Sequence, residues 1–176
     1  MKRLVITADD FGVAREVNEA VETAHHSGIL TAASMMVTGA AATDALLRAR
    51  KLPFLRVGLR LVLVEGRPVL PPSAVPDLVD AEGNFRNDMA RAGAAMFLRA
   101  PVRLQLAREI EAQFQAFAAT GLVFDHVNAH KHFHLHPTIA SLVLAMARKF
   151  GVRAPRVPLE PRAVLAPLEP TPPDRI

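Results

Sequence analysis

Residues 4–12 read Leu4-Val5-Ile6-Thr7-Ala8-Asp9-Asp10-Phe11-Gly12. The apolar run 4–8 has strand length, and two carboxylates followed by glycine mark its passage into a loop. The acidic pair is therefore expected at the carboxyl end of a strand. Val17, Ala20, Val21 and Ala24 recur at helical spacing, and Gly28 supplies a stop. Residues 33–37 form a second buried-strand candidate, 41–51 a second helix, and 55–64 a third strand introduced by Pro53. This βαβαβ alternation implies an α/β fold with a parallel sheet and helical crossovers.

Residues 65–90 hold prolines and glycines without a clear period and read as a long loop, which in a compact domain is usually functional. Ala107, Ile110, Phe114 and Phe117 form a helical stripe closed by Gly121, and 123–129 is the next strand candidate. Ile139, Leu142, Val143, Met146, Ala147 and Phe150 give the clearest amphipathic helix, opened by Pro137 and closed by Gly151. The last strand candidate is 153–157. The expected organisation is one domain over 1–157, then a proline-rich, disordered tail over 158–176.

The 176 residues and 51% hydrophobic content suit one domain with a core. With no cysteine, disulfides, thiolate metal sites and a cysteine nucleophile are excluded, so a metal would need histidine and carboxylate ligands. Scattered arginines, and no Tyr or Trp to stack on bases, argue against a nucleic-acid partner. The start meets Asp9 and Asp10 too soon for a signal peptide, so a cytoplasmic location is expected. The longest uncharged stretch, 28–43, is too short to span a bilayer.

Two features carry chemistry: Asp9-Asp10, and His126-Val127-Asn128-Ala129-His130-Lys131-His132-Phe133-His134-Leu135-His136-Pro137. Both follow strands, on the face where parallel α/β folds place their active sites. In an extended segment His130, His132, His134 and His136 would project to one side, a nitrogen-donor surface suited to a divalent ion. One aspartate could bind that ion while the other takes a proton from water, and adjacency does not assign the roles. The plainer reading of an Asp-Asp pair is a solvated turn or helix cap. For the histidines it is an incidental surface run. His25 and His26 fall late in the first helix, where they suit its C-terminal dipole.

The stretch Thr7-Ala8-Asp9-Asp10-Phe11-Gly12 resembles the "ADDFG" signature of YdjC-like carbohydrate deacetylases. Residues 126–137 resemble their "HxDSHxHxHxxP" segment, and Gly58-Leu59-Arg60-Leu61 lines up with "GLHL" between the two. The wording of 126–137 and of 61–72 is most similar to the hopanoid biosynthesis-associated branch, HpnK. The resemblance implies a TIM-barrel-like (β/α) fold, one divalent ion such as Mg²⁺ or Zn²⁺, and hydrolysis of an N-acetyl group on a sugar or glycolipid, here a glucosaminyl hopanoid headgroup. By position it implies Asp10 and His130 as metal ligands and Asp9 as general base. His132, His134 and Asn128 become surrounding or substrate-side groups. A lipid substrate would bring the protein to a membrane surface.

Two departures bear on activity. Arg60 stands where the family has a ligating histidine, and a guanidinium has no lone pair to give. Arg60 could instead ion-pair with Asp10 and replace the metal's charge. The chain also stops after about five βα units, before an eight-stranded barrel could close, which predicts either a truncated product, unstable or stabilised by a partner chain (a homodimer being one form), or a gene boundary cut short. Beside the deacetylase reading stand two others: an inactive homologue that binds a sugar or partner subunit, and a histidine-rich metal binder without turnover.

Overall fold

The computed structural model describes residues 4–152 and 154–157; the proline-rich segment 158–176 lies outside them. Five strands, β1 (Thr7–Phe11), β2 (Ala32–Met35), β3 (Arg56–Leu61), β4 (His126–Ala129) and β5 (Ala154–Pro155), alternate with helices α1 (Arg15–Ser27), α2 (Ala42–Ala49), α3 (Met89–Leu98), α4 (Ala100–Ala119) and α5 (Pro137–Lys149). All neighbouring strands pair in parallel, in the order β1-β2-β3-β4-β5. The expected α/β class and parallel sheet are observed. A sequential parallel sheet with helical crossovers is the arrangement of a barrel arc, and the five strands do not close on themselves.

Strand alternation separates two environments. Ala33, Met35, Val57, Leu59, Leu61, Val127 and Ala129 belong to one buried cluster with Leu106, Ile110, Phe114 and Phe117 of α4 and Ile139, Val143 and Ala147 of α5. Each fully buried Leu or Phe there contributes about 1.5–3 kcal/mol. The other face is polar, bearing Asp9, Ser34, Arg60, His126 and Asn128, which bond to one another. Gly58 leaves space for this polar layer, because a Cβ there would lie 2.5 Å from Cγ of His126.

The sheet curls strongly. A flat five-strand sheet separates its edge strands by about 19 Å, beyond the reach of one side chain. Yet Arg156, just after β5, donates from Nη1 to Asp9 of β1 at 3.0 and 2.9 Å. Curling brings the carboxyl ends of both edges to one mouth.

Three expectations need correction. The first strand starts at Thr7 and runs through the acidic pair to Phe11, with a register shift between Ala8 and Phe11, whereas Leu4 and Val5 are exposed. The bulge lets Asp9 and Asp10 leave the ladder without ending the strand. Helix α3 was not anticipated, and it takes the last residues of the expected 65–90 loop. Its sequence, MARAGAAMFL, is apolar on nearly every side and shows no period. Within the remaining loop, a 3-10 turn at Pro72–Ala74 and a bridge between Val79 and Phe85 give order. Buried groups on α4 also tie it down. Gln113 accepts from Val62 N–H and donates to Val62 C=O, and Glu109 accepts from Val69 and Leu70 N–H. The third correction, to the histidine run, concerns the site.

Gly58→Ala is expected to destabilise the fold by about 1–3 kcal/mol, since the added methyl overlaps His126 and adjacent backbone. Urea unfolding reads this directly; an unchanged midpoint would show that the two strands can move apart freely.

Candidate functional site

The bulge at the end of β1 sets the acidic pair. Asp10 takes a left-handed backbone, φ 60, and Gly12 follows at φ 102, where a side chain would be strained. The turn is held from below by buried Asn18 of α1, which accepts from Gly12 N–H at 2.7 Å and donates to Ala41 C=O and Asp44. Asp10, Glu65, Lys131 and His132 are the four non-glycine described residues with positive φ. Asp10, Glu65 and Lys131 surround one mouth, where His130 meets Asp10 and Lys131 pairs with Glu65, and His132 continues the turn beside them. Uncommon backbone concentrated at one place is a mark of a functional site.

Arg60 of β3 lies at the centre, its side chain 8% exposed. Its Nε is 2.5 Å from Asp10 Oδ1, its Nη1 is 3.2 Å from Asp9 Oδ2 and 3.4 Å from Asn128 Oδ1, and its Nη2 is 3.3 Å from His130 Nδ1. His130 Nδ1 is 3.2 Å from Asp10 Oδ1. The expected convergence of Asp10 and His130 is therefore present, with a guanidinium beside both. Asn128 donates to Asp9 at 3.0 Å and to Ser34 at 2.9 Å.

Burial by itself would raise the Asp9 carboxyl. The charges of Arg60 and Arg156, with hydrogen bonds from Arg156 and Asn128, outweigh it and hold the group below the ordinary 3.8. Both Asp9 oxygens are engaged, which lowers its proton affinity. No partner is found for Asp10 Oδ2 among the described residues, which makes it the more open carboxylate oxygen of the pair.

The histidines do not alternate along an extended strand. Residues His130–Leu135 form a 3-10 turn kinked by Lys131 and His132, and the rings differ in burial and partners, with His132 and His134 edge-on, their ring centroids 6.0 Å apart. His130 reaches Asp10, while His132 is exposed. His134 is buried and donates from Nε2 to the Arg156 carbonyl at 2.8 Å; burial pushes its pKa down and keeps it neutral. His136 packs edge-on against Phe97 and Phe133. Sequence reasoning gave His126, at the head of the histidine segment, no role of its own, and did not single out Ser34, Glu65 or Arg156. A serine inside an otherwise apolar strand was the available signal for Ser34, and Glu65 and Arg156 depend on strand curl and on the turn.

The donor set does not fit a resident divalent ion as it stands. The guanidinium lies against Asp10 Oδ1 and His130 Nδ1, the two atoms that would face a cation, and its charge opposes one. Among the described residues no group of three or more His, Asp or Glu side chains is placed to hold a metal. Asp9, Asp10 and Glu65 are balanced by Arg60, Lys131 and Arg156 within this cluster.

Residues 3–171 match the family described as YdjC-like protein, and the chain belongs to that family. A carbohydrate deacetylase of Brevibacillus brevis is 37% identical over 150 residues, 85% of this chain and 57% of that protein. A chitooligosaccharide deacetylase of Serratia marcescens is 32% identical over 152 residues, 86% of this chain and 58% of that protein. A solved Enterococcus faecalis structure, provisionally assigned to cellobiose-phosphate cleavage, matches with a TM-score of 0.74 at 30% identity, over 87% of this chain and 58% of that one. The chain thus spans less than two thirds of these relatives.

A carboxylate whose folded pKa lies below its unfolded value adds stability above that value, and loses it as pH falls through the folded pKa. Arg156→Gln should therefore raise the Asp9 titration toward 3.8 and shrink the acid-side loss of stability. Carboxyl-carbon NMR of Asp9 checks this, and an unmoved titration would show that Arg156 does not govern the group.

Proposed function

We propose that this chain carries the amino-terminal, catalytic-mouth half of a carbohydrate deacetylase acting on N-acetylated sugars. The observation supporting this most directly is the convergence of Asp9, Asp10, Asn128 and His130 at one mouth from β1, β4 and the turn after β4. Arg156, which keeps N–H groups beyond the Nη1 that it gives to Asp9, and the open oxygen of Asp10 suit an acetamide, which offers one carbonyl acceptor and one N–H donor. The naming of the deacetylase relatives supports the reaction class. An N-acetylglucosamine-type headgroup on a hopanoid lipid is our finer proposal for the substrate, supported by the wording of residues 61–72 and 126–137.

Hydrolysis would need a base, and the base role proposed for Asp9 meets a carboxylate of lowered proton affinity. The divalent cofactor that the resemblance implies, Mg²⁺ or Zn²⁺, meets Arg60 at the place of a ligand. These two observations favour a second reading: a homologue that binds the N-acetyl sugar with little or no turnover.

Binding and acetate release with N,N′-diacetylchitobiose, in EDTA and then in Mg²⁺ or Zn²⁺, separate the readings. EDTA-insensitive sugar binding with acetate release on the order of 100-fold or more below that of Arg60→His is expected, given the usual worth of one transition-state charge interaction. Binding without acetate from either protein leaves the second reading, and no sugar binding removes both. Arg60→His should also create stoichiometric Zn²⁺ binding, read by calorimetry, and adding His130→Ala should abolish it. Equal metal occupancy before and after Arg60→His would refute the account of position 60.

A further inference from the structure

The charge of this chain is concentrated in one place. Residues 86–108 hold Arg86, Arg91, Arg99, Arg103 and Arg108 against Asp88, a net of +4, equal to the formal net charge of the whole chain. The remainder is formally neutral, and from Met89 to Arg108 there is no acidic residue at all. These residues build α3, its junction with α4, and the first turns of α4.

Large apolar side chains are exposed at the same junction. Phe97 is 55%, Leu98 74% and Leu104 63% exposed. Arg103 donates to the Phe97 backbone carbonyl at 2.7 Å, which holds its charge at the junction. The solvent side of α3 adds Ala90 and Ala94, and the inward side packs through Gly93 and Met96. A cavity of about 110 Å³ opens beside the junction, with Leu78, Met96 and Val102 in its wall and Arg86, Arg91 and Arg99 among its lining. Asp77 neutralises part of this lining through Arg99, at 3.2 Å.

A solvated protein surface seldom places three exposed large apolar side chains beside so many arginines, of which Arg99 alone has an acidic partner among the described residues. Exposed Phe and Leu beside Arg is the composition that lies in the headgroup region of a bilayer. No described helix is long and apolar enough to cross a membrane, so the surface would sit on a bilayer and not pass through it. The α3–α4 segment connects β3 to β4 in the middle of the arc, whereas further strands would add at β1 or β5.

We propose that the α3–α4 junction is a docking surface for an anionic lipid bilayer, with Phe97, Leu98 and Leu104 entering the headgroup layer and Arg91, Arg99 and Arg103 pairing with lipid phosphates. The surface adjoins the mouth, because Phe97 packs edge-on against His136, at the end of the turn that starts with His130. Docking would hold the mouth close to glycans borne on lipid. That last consequence rests on the deacetylase reading; the docking itself does not.

The test is sedimentation of the full chain with vesicles of phosphatidylcholine alone, or of phosphatidylcholine mixed equally with phosphatidylglycerol, without any sugar. Co-sedimentation with the mixed vesicles is expected, weakening as salt rises. Arg91→Gln/Arg99→Gln/Arg103→Gln should weaken it about 100-fold at low salt, and Phe97→Ser/Leu98→Ser about tenfold or more. Arg15→Gln/Arg50→Gln, away from the junction, should change it little. Circular dichroism confirms that each variant is folded. Failure to bind the mixed vesicles, or equal loss in the Arg15/Arg50 variant, overturns the proposal. So does a concentration-dependent dimer that Phe97→Ser/Leu98→Ser abolishes while no vesicle binding is seen, which would assign the surface to a second copy. Acetate release is not read here, so docking and deacetylation fail separately.

Discussion

A guanidinium closed in between two adjacent carboxylates is the constraint around which the mouth of this protein is built. Arg60 enters from the middle of the sheet, and Asp9, Asp10, Asn128 and His130 reach it from both sides. Arg60 is buried while both carboxylates are partly exposed, so its charge depends on keeping at least one of them beside it. The pair therefore fixes the positions of β1, β3 and β4 relative to one another. It also fixes the electrostatics: Asp9, held by two guanidinium groups, is a stabilised anion and a weak base, and a site so neutralised has little attraction for another cation.

The curl of the sheet makes this cluster possible. Strand pairing alone puts β1 and β5 at opposite edges, and curling returns Arg156 to Asp9. Polar groups on the inner face then satisfy one another, from Ser34 and His126 through Asn128 to Asp9. A buried layer of this kind is stable when its members are paired and costly when one is missing. Gly58 belongs to the same arrangement, since it gives the His126 ring its place.

Much of the fold could be read along the chain. Val17–Val21–Ala24 and Ile139–Val143–Ala147 recur at helical spacing because each helix buries one stripe, and β2 is apolar apart from Ser34 because both its faces are covered. Helix α3 was hidden because its exposed side is apolar too. Among site residues, Asp10, His130 and Arg60 were legible from residue type and position, down to the ion pair of Arg60 with Asp10. The histidine run misled, because alternation along a sequence has meaning in an extended chain and the left-handed backbone at Lys131 and His132 turns this one.

By itself the sequence determined the class of fold, the strand ends at which polar chemistry gathers, and the incompatibility of a guanidinium with metal ligation. These follow from local periodicity and from the lone pairs a side chain possesses. Tertiary structure alone decided which groups meet: that Arg156 closes over Asp9, that His134 turns inward while His132 faces solvent, and that Phe97, Leu98 and Leu104 are left exposed. Such outcomes depend on sheet curl, on packing and on a few backbone angles, of which the chain carries no local mark.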